Sequence, residues 1–202
     1  IGIPCLDYYQ EMAEDSQAIA VMEMSCHQLN NVKVSPHFAV FLTLYEEHLD
    51  YYGTFEKYAL AKNNISKYQM PGDKVFSGSS VPRLDTRALE YKIPEFDEKK
   101  YNLKILGQHN QWNAEFVKKV CVSGLKLNEM DVIAEIESFE GLPHRLAYIG
   151  EKDGVKYYDD SISTIPMACI NACRSIPNLK AAIIGGMDRG IGYKELIDFI
   201  NS

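Results

Sequence analysis

The chain has 202 residues, 46% of them hydrophobic, enough to pack one large domain or one domain and part of another. A net charge of −7 with acids and bases interspersed gives no basic stripe for a nucleic-acid backbone, so nucleic acid is excluded as a partner. The longest apolar runs are strand length, which excludes a membrane span, and five irregularly spaced cysteines do not make a disulfide framework. The expectation is a soluble, cytoplasmic globular chain with its cysteines as small buried hydrophobes. Cys169 and Cys173, four apart on a helical pattern, have no nearby histidine or further cysteine to make a metal site. Ile1-Gly2-Ile3-Pro4 offers no initiator methionine, basic n-region or signal-like apolar stretch, so a piece of a longer chain is expected.

In chain order, Leu6 to Met12 is a short helical pattern. Ala18 to Met24 is a mostly apolar run, read as a buried strand that ends near Glu23. Pro36 to Leu44 is a second buried strand, and it delivers the acidic turn Tyr45-Glu46-Glu47-His48-Leu49-Asp50. Two strand ends would then present acids together, at the edge where an open parallel sheet binds ligands. Thr54 is a good N-cap with Glu56 at N2 and Lys57 at N3, predicting a helix from Phe55 to about Tyr68 that Pro71-Gly72-Asp73 stops. Lys74 to Phe76 is a short strand, and Ser77 to Lys100 reads as loop with weak strands. Tyr101 to Leu106 alternates like a strand, a helix follows to about Ser123, and another runs from an Asn128 cap through Ser138.

The helical pattern breaks at Gly141-Leu142-Pro143-His144-Arg145, which sets a domain boundary near residue 140. A hairpin follows, Leu146 to Gly150 and Val155 to Asp159 around Lys152-Asp153-Gly154. Pro166 suits the first turn of a helix ending near Ser175, Lys180 to Ile184 reads as a buried strand, and Tyr193 to Ile200 as an amphipathic helix. The fold class is α/β with an open, mostly parallel sheet, followed by the start of a second small α/β domain.

Glu23, His48 and Lys62 each have an ordinary reading: a surface acid, a hydrogen-bonded histidine and a solvated lysine. Together they suggest a metal and phosphate site, because magnesium needs few protein oxygens when phosphates complete its shell.

The motifs Glu23-Met24-Ser25-Cys26-His27-Gln28-Leu29, Ser35-Pro36-His37, Glu47-His48-Leu49-Asp50, Gly53-Thr54-Phe55 and Ala61-Lys62-Asn63-Asn64-Ile65 resemble the central domain of the Mur ligases. These are ATP-dependent amide-forming enzymes of peptidoglycan precursor synthesis. Gly107-Gln108-His109-Asn110, Asn113-Ala114, Phe139 to Arg145 and Asp159-Asp160-Ser161 extend the resemblance to about residue 195, and the last two look most like the D-glutamate-adding member. The resemblance implies a P-loop-type central ATP-binding domain over residues 1–140 and the start of a Rossmann-like C-terminal domain over 141–202.

It further implies magnesium ions on Glu23, His48 and Lys62, with Lys62 carbamylated so that an anionic oxygen replaces an ammonium. Asn110, Asn113, Arg145 and Asp160 would bind ATP, with Arg145 on the phosphates and Asp160 on the ribose. Ser25, Thr164 and Arg189 would face substrate. The implied substrates are UDP-N-acetylmuramoyl-L-alanine and D-glutamate, joined through an acyl phosphate with Lys62, His48 and Arg145 as catalytic groups, in a monomer. Ile162 and Gly186-Met187-Asp188-Arg189 depart from the family pattern, and Cys26-His27 stands where relatives commonly show Ser-Phe. No Gly-x-x-x-x-Gly-Lys-Ser/Thr loop occurs in these residues, so the chain alone is not expected to bind ATP tightly or to catalyse. Another Mur ligase, a folylpolyglutamate synthetase or a non-catalytic nucleotide-binding module remain as alternative readings.

Overall fold

A computed structural model describes residues 4–187 and 191–202. Among them a parallel sheet is built from β1 (Phe38–Phe41), β2 (Lys74–Gly78) and β3 (Leu89–Ile93), in the order β1-β2-β3. The region left as loop with weak strands thus contributes a full strand, because Leu89 to Ile93 finds the ladder of β2. Helix α4 (Phe55–Lys67) makes the β1 to β2 crossover. Thr54 caps it by accepting from the Lys57 amide, as the sequence predicts.

Period-two alternation sorts the strands onto two faces. Phe38, Val40, Phe76, Tyr91 and Ile93 form one, against Trp112 and Phe116 of α5 (Gln108–Lys119). Phe41 lies on the other face, toward α4, where Lys62 stands over its ring. A second apolar cluster joins Cys26 of α2 (Cys26–Leu29) and Tyr52 of α3 (Leu49–Tyr52) to Tyr58 and Ala61 of α4. Ser35 and Asn64, both in motifs that point to chemistry, are structural ties here. The Ser35 hydroxyl donates to the Asn64 carbonyl at 2.8 Å and accepts from the Tyr68 amide, while Asn64 donates to the Leu29 carbonyl at 3.0 Å.

The remaining helices are α1 (Tyr9–Glu14), which follows a 3-10 turn at Cys5–Tyr8, and α6 (Glu129–Ser138), capped by the Asn128 side chain. Strands β4 (Ala147–Lys152) and β5 (Val155–Asp159) make the expected antiparallel hairpin, with Asp153 and Gly154 both at positive φ in its turn. Helix α7 (Pro166–Ser175) begins at its proline and packs on α8 (Lys194–Ile200).

Three predicted strands do not form. Residues 18–24 and 180–184 are exposed and pair with nothing among the described residues: an apolar run becomes a strand only where a neighbour completes its backbone hydrogen bonds. Glu23 accordingly stands in an exposed extended segment instead of at a sheet edge. Residues 101–106 fail for a different reason. The Gln111 side chain accepts from the Lys100 and Tyr101 amides and donates to the Tyr101 carbonyl, taking the place of a strand partner. The helix expected to reach Ser123 changes pitch, α5 passing into a π-helical turn at Val120–Gly124.

Candidate functional site

The C-terminal edge of the parallel sheet opens onto a cavity of about 550 Å³. Leu42, Thr43 and Tyr45, which follow β1, form one wall, and Trp112, Asn110 and Asn113 of α5 another. Arg145, Asp160 and Asn171 close it from the segment after residue 140. The four residues expected to hold nucleotide, Asn110, Asn113, Arg145 and Asp160, therefore share one cavity although up to 50 positions separate them in sequence.

Local chemistry explains their placement. Asn110, in the first turn of α5, donates to the Leu106 carbonyl at 2.6 Å and accepts from Asn113 at 3.3 Å, so the pair is mutually oriented. Arg145 sits between two non-glycine residues in the left-handed region, His144 (φ 63) and Leu146 (φ 47), a strained arrangement that needs outside support. Asp160 supplies it by accepting from the Leu146 amide at 2.9 Å and the Ser163 hydroxyl at 2.6 Å. His144 meets Asp159 at 2.6 Å, and Asp159 also accepts from the Ser161 amide. The Arg145 guanidinium makes no ion pair or hydrogen bond among the described residues, so its whole donor fork remains for an anion. His109 lines the same cavity, and burial holds its pKa below the ordinary histidine value, against the opposing field of Asp160.

The Asp159 clamp has a pH signature. Its pKa is lowered to about 2, first by the Ser161 amide and then by His144. A depressed folded-state pKa gives stability that is complete above the unfolded value of about 3.9 and lost as pH falls through the folded one. The backbone amide signals of His144 to Leu146 are therefore expected to hold at pH 5 and to shift between about pH 4 and 2. An Asp159 side chain titrating near about 4 would show that no such clamp exists.

The expected metal residues lie beyond Tyr45. His48 begins α3 at φ 55, with its Nε2 3.7 Å from a Glu47 carboxylate oxygen. Lys62 is half-buried, its ammonium 5.0 Å from the centre of the Tyr58 ring and 5.7 Å from that of Phe41. Burial lowers its pKa, partly opposed by Cys26 and Glu47. Tyr58 is held protonated by burial first and Glu47 next. Glu23 is exposed and makes no hydrogen bond or ion pair with these groups among the described residues. Ser25 spends its side chain on a capping box with Gln28, and Thr164 is exposed just ahead of α7. Arg189 lies outside the described residues.

Sequence reasoning missed a second set. Cys26, His27 and His48 bring a sulfur and two ring nitrogens within 4.8 Å of one another. The Cys26-His27 dipeptide is visible in sequence, but its meeting with His48 is a product of α2 and α3 both packing on α4. As a fit for magnesium this centre is mixed. Cys26, His27 and His48 are not oxygen donors, whereas Glu47 and a carbamate on the desolvated Lys62 would be.

Residues 3–87 match the Mur ligase middle domain. It is similar to proteins named UDP-N-acetylmuramoylalanine--D-glutamate ligase. That of Aquifex aeolicus is 31% identical over 97% of this chain and 51% of its own length, and that of Streptococcus agalactiae 33% identical over 98% and 49%. The chain thus spans about half the length of the curated relatives it matches. Two solved structures share the fold. MurF from Acinetobacter baumannii has a TM-score of 0.58 at 16% identity, covering 70% of this chain and 38% of that one. MurF from Thermotoga maritima in complex with ADP has a TM-score of 0.53 at 19% identity, covering 71% and 40%. Among the described residues no helix is long and apolar enough to cross a membrane.

Proposed function

We propose that the full-length gene product is an ATP-dependent ligase that joins D-glutamate to UDP-N-acetylmuramoyl-L-alanine. The observation that carries this reading is the single cavity shared by Asn110, Asn113, Arg145 and Asp160 at the C-terminal edge of the sheet. The names of the curated relatives support the D-glutamate specificity, and ADP in the Thermotoga maritima MurF supports a nucleotide.

In this reading Arg145 offsets charge on the nucleotide phosphates, and the amides of Asn110 and Asn113 orient the nucleotide along the start of α5. The substrate's terminal carboxylate takes the γ-phosphoryl group to give an acyl phosphate. The amino group of D-glutamate then attacks the acyl carbon, forming the amide bond and releasing phosphate. Glu23, His48 and a carbamylated Lys62 would hold magnesium, which supplies positive charge beside the transferring group. Residues 1–140 and 141–202 form separate units in this account, and closure between them excludes water and aligns the reactants. Thr164 and Arg189 would meet the incoming amino acid.

Arg145→Ala in the full-length product is expected to weaken ADP binding by roughly ten- to a hundredfold, the loss that follows when hydrogen bonds to a charged group go. Isothermal titration with ADP and magnesium measures it. Equal affinity in Arg145→Ala and Asn113→Ala would remove the cavity from consideration as the nucleotide site.

A further inference from the structure

The ligase reading leaves Cys26 and His27 unused, yet they sit in the most metal-like cluster among the described residues. Their ligating atoms and that of His48 all lie within 4.8 Å of one another. The two imidazoles face each other edge to face, with ring centroids 4.9 Å apart at 70°. Tetrahedral zinc, with bonds of 2.0–2.3 Å, sets neighbouring ligand atoms roughly 3.3–3.6 Å apart, so the cluster has to close by about 1 Å, within the reach of side-chain rotation. A Glu47 carboxylate oxygen lies 3.7 Å from His48 Nε2, outside the three-residue cluster but next to one of its members.

A second observation points to the same place. The Tyr52 hydroxyl is buried with no hydrogen-bond partner, an arrangement that ordinarily costs stability. Cys26 packs with it in the same buried cluster. A thiol is a poor acceptor, but a metal-bound thiolate is a good one, so a metal on Cys26 would give the Tyr52 hydroxyl a partner. The aromatic surround is also suited to holding ligands in place, since Tyr52 stacks on His27 at 5.6 Å and Tyr51 meets it edge-on at 4.6 Å.

We propose that Cys26, His27 and His48 form a binding site for a thiophilic divalent cation of the zinc class, with Glu47 or water as the fourth ligand and Tyr52 donating to the Cys26 sulfur. On binding, the Cys26 S–H bond breaks, its proton passes to solvent and a sulfur–metal bond forms, with no change of oxidation state. The donor set prefers such a cation over magnesium, which takes oxygen ligands. This site stands independently of the ligase reading. If that reading also holds, an ion here withdraws His48 from the magnesium set.

Cobalt(II) titrated into the purified chain is the direct probe. One equivalent is expected to give a near-ultraviolet sulfur-to-cobalt charge-transfer band with intense tetrahedral visible bands, unaffected by millimolar magnesium and bleached by zinc. Second-layer changes at metal sites cost 10–100-fold in affinity, so losing a ligand costs at least roughly a hundredfold. Cys26→Ser should abolish the near-ultraviolet band and His27→Ala should weaken zinc at least that much, whereas Cys121→Ser and the double variant Cys169→Ser, Cys173→Ser should retain both. His27 is exposed, so its variant tests the site even if Cys26→Ser fails to fold. Absence of the charge-transfer band, or wild-type zinc affinity in His27→Ala, overturns the proposal. Neither result decides the ligase reading, which is tested separately by ADP binding to Arg145→Ala.

Discussion

Replacing Lys62 by alanine in the full-length gene product is expected to lower ATP-dependent amide formation by roughly 10²–10³-fold, the usual loss on removing one electrostatic stabiliser of a transition state. The structure explains why this lysine suits carbamylation. An amine reacts with carbon dioxide only when neutral, and burial beside Tyr58 and Phe41 disfavours the ammonium and lowers the Lys62 pKa. Cys26 and Glu47 oppose that shift without reversing it. Glu47 is near enough for its charge to act on Lys62. Lys62→Arg is expected to be as inactive as the alanine variant, because a guanidinium keeps its charge and cannot take up carbon dioxide. Initial rates for the two variants, with ¹³C-bicarbonate NMR of the wild type, check both parts. Full activity in Lys62→Arg would refute the carbamate.

The second large effect is structural. Gly78 ends β2 where a side chain has no room: a Cβ there would run into the Leu42 carbonyl oxygen and lie 2.8 Å from the Trp112 ring. Both neighbours also wall the cavity. One is backbone of the chain leaving β1, and the other is fixed in the core by Phe116 and by its own donation to the Pro94 carbonyl at 3.1 Å. Neither yields without moving a strand or a helix. Gly78→Ala is therefore expected to destabilise by about 2–3 kcal/mol, the upper part of the range for overpacked cores. It should also weaken nucleotide binding, since the wall that moves is the wall of the site. Gly185→Ala, with nothing within 4 Å of its Cβ position, serves as the matched control and should shift the urea midpoint very little. Equal midpoints for the two variants would mean that β1, β2 and α5 do not pack as described.

Local signals were readable in the sequence wherever one segment settles its own structure. The Thr54 and Asn128 caps, the Pro166 helix start and the Asp153-Gly154 turn all stand where spacing and side-chain chemistry put them. Strands were readable only where a partner exists. Lys74 to Phe76 found β1 and β3, while the equally apolar residues 18–24 and 180–184 found no ladder among the described residues. Residues 101–106 lost their place to one glutamine side chain, a substitution that alternation cannot reveal.

The same division holds for the site. Asn110, Asn113, Arg145 and Asp160 were singled out one by one from a resemblance of motifs, and in the structure they line a common cavity. Structural work done by motif residues was not readable: Ser35, Asn64 and Ser25 spend their polar groups on helix ties and a cap, and Asp160 holds the strained loop that carries Arg145. Cys26-His27, which stands where relatives commonly show Ser-Phe, meets His48 only in the folded chain.

The central claim is tested most directly by the amino-acid dependence of phosphate release. The full-length gene product would be given ATP, magnesium and UDP-N-acetylmuramoyl-L-alanine, with D-glutamate, L-alanine, meso-diaminopimelate or L-glutamate in parallel. The account predicts amide product and stoichiometric phosphate with D-glutamate and background with the other three. Amide formation with one of those three and none with D-glutamate would contradict it.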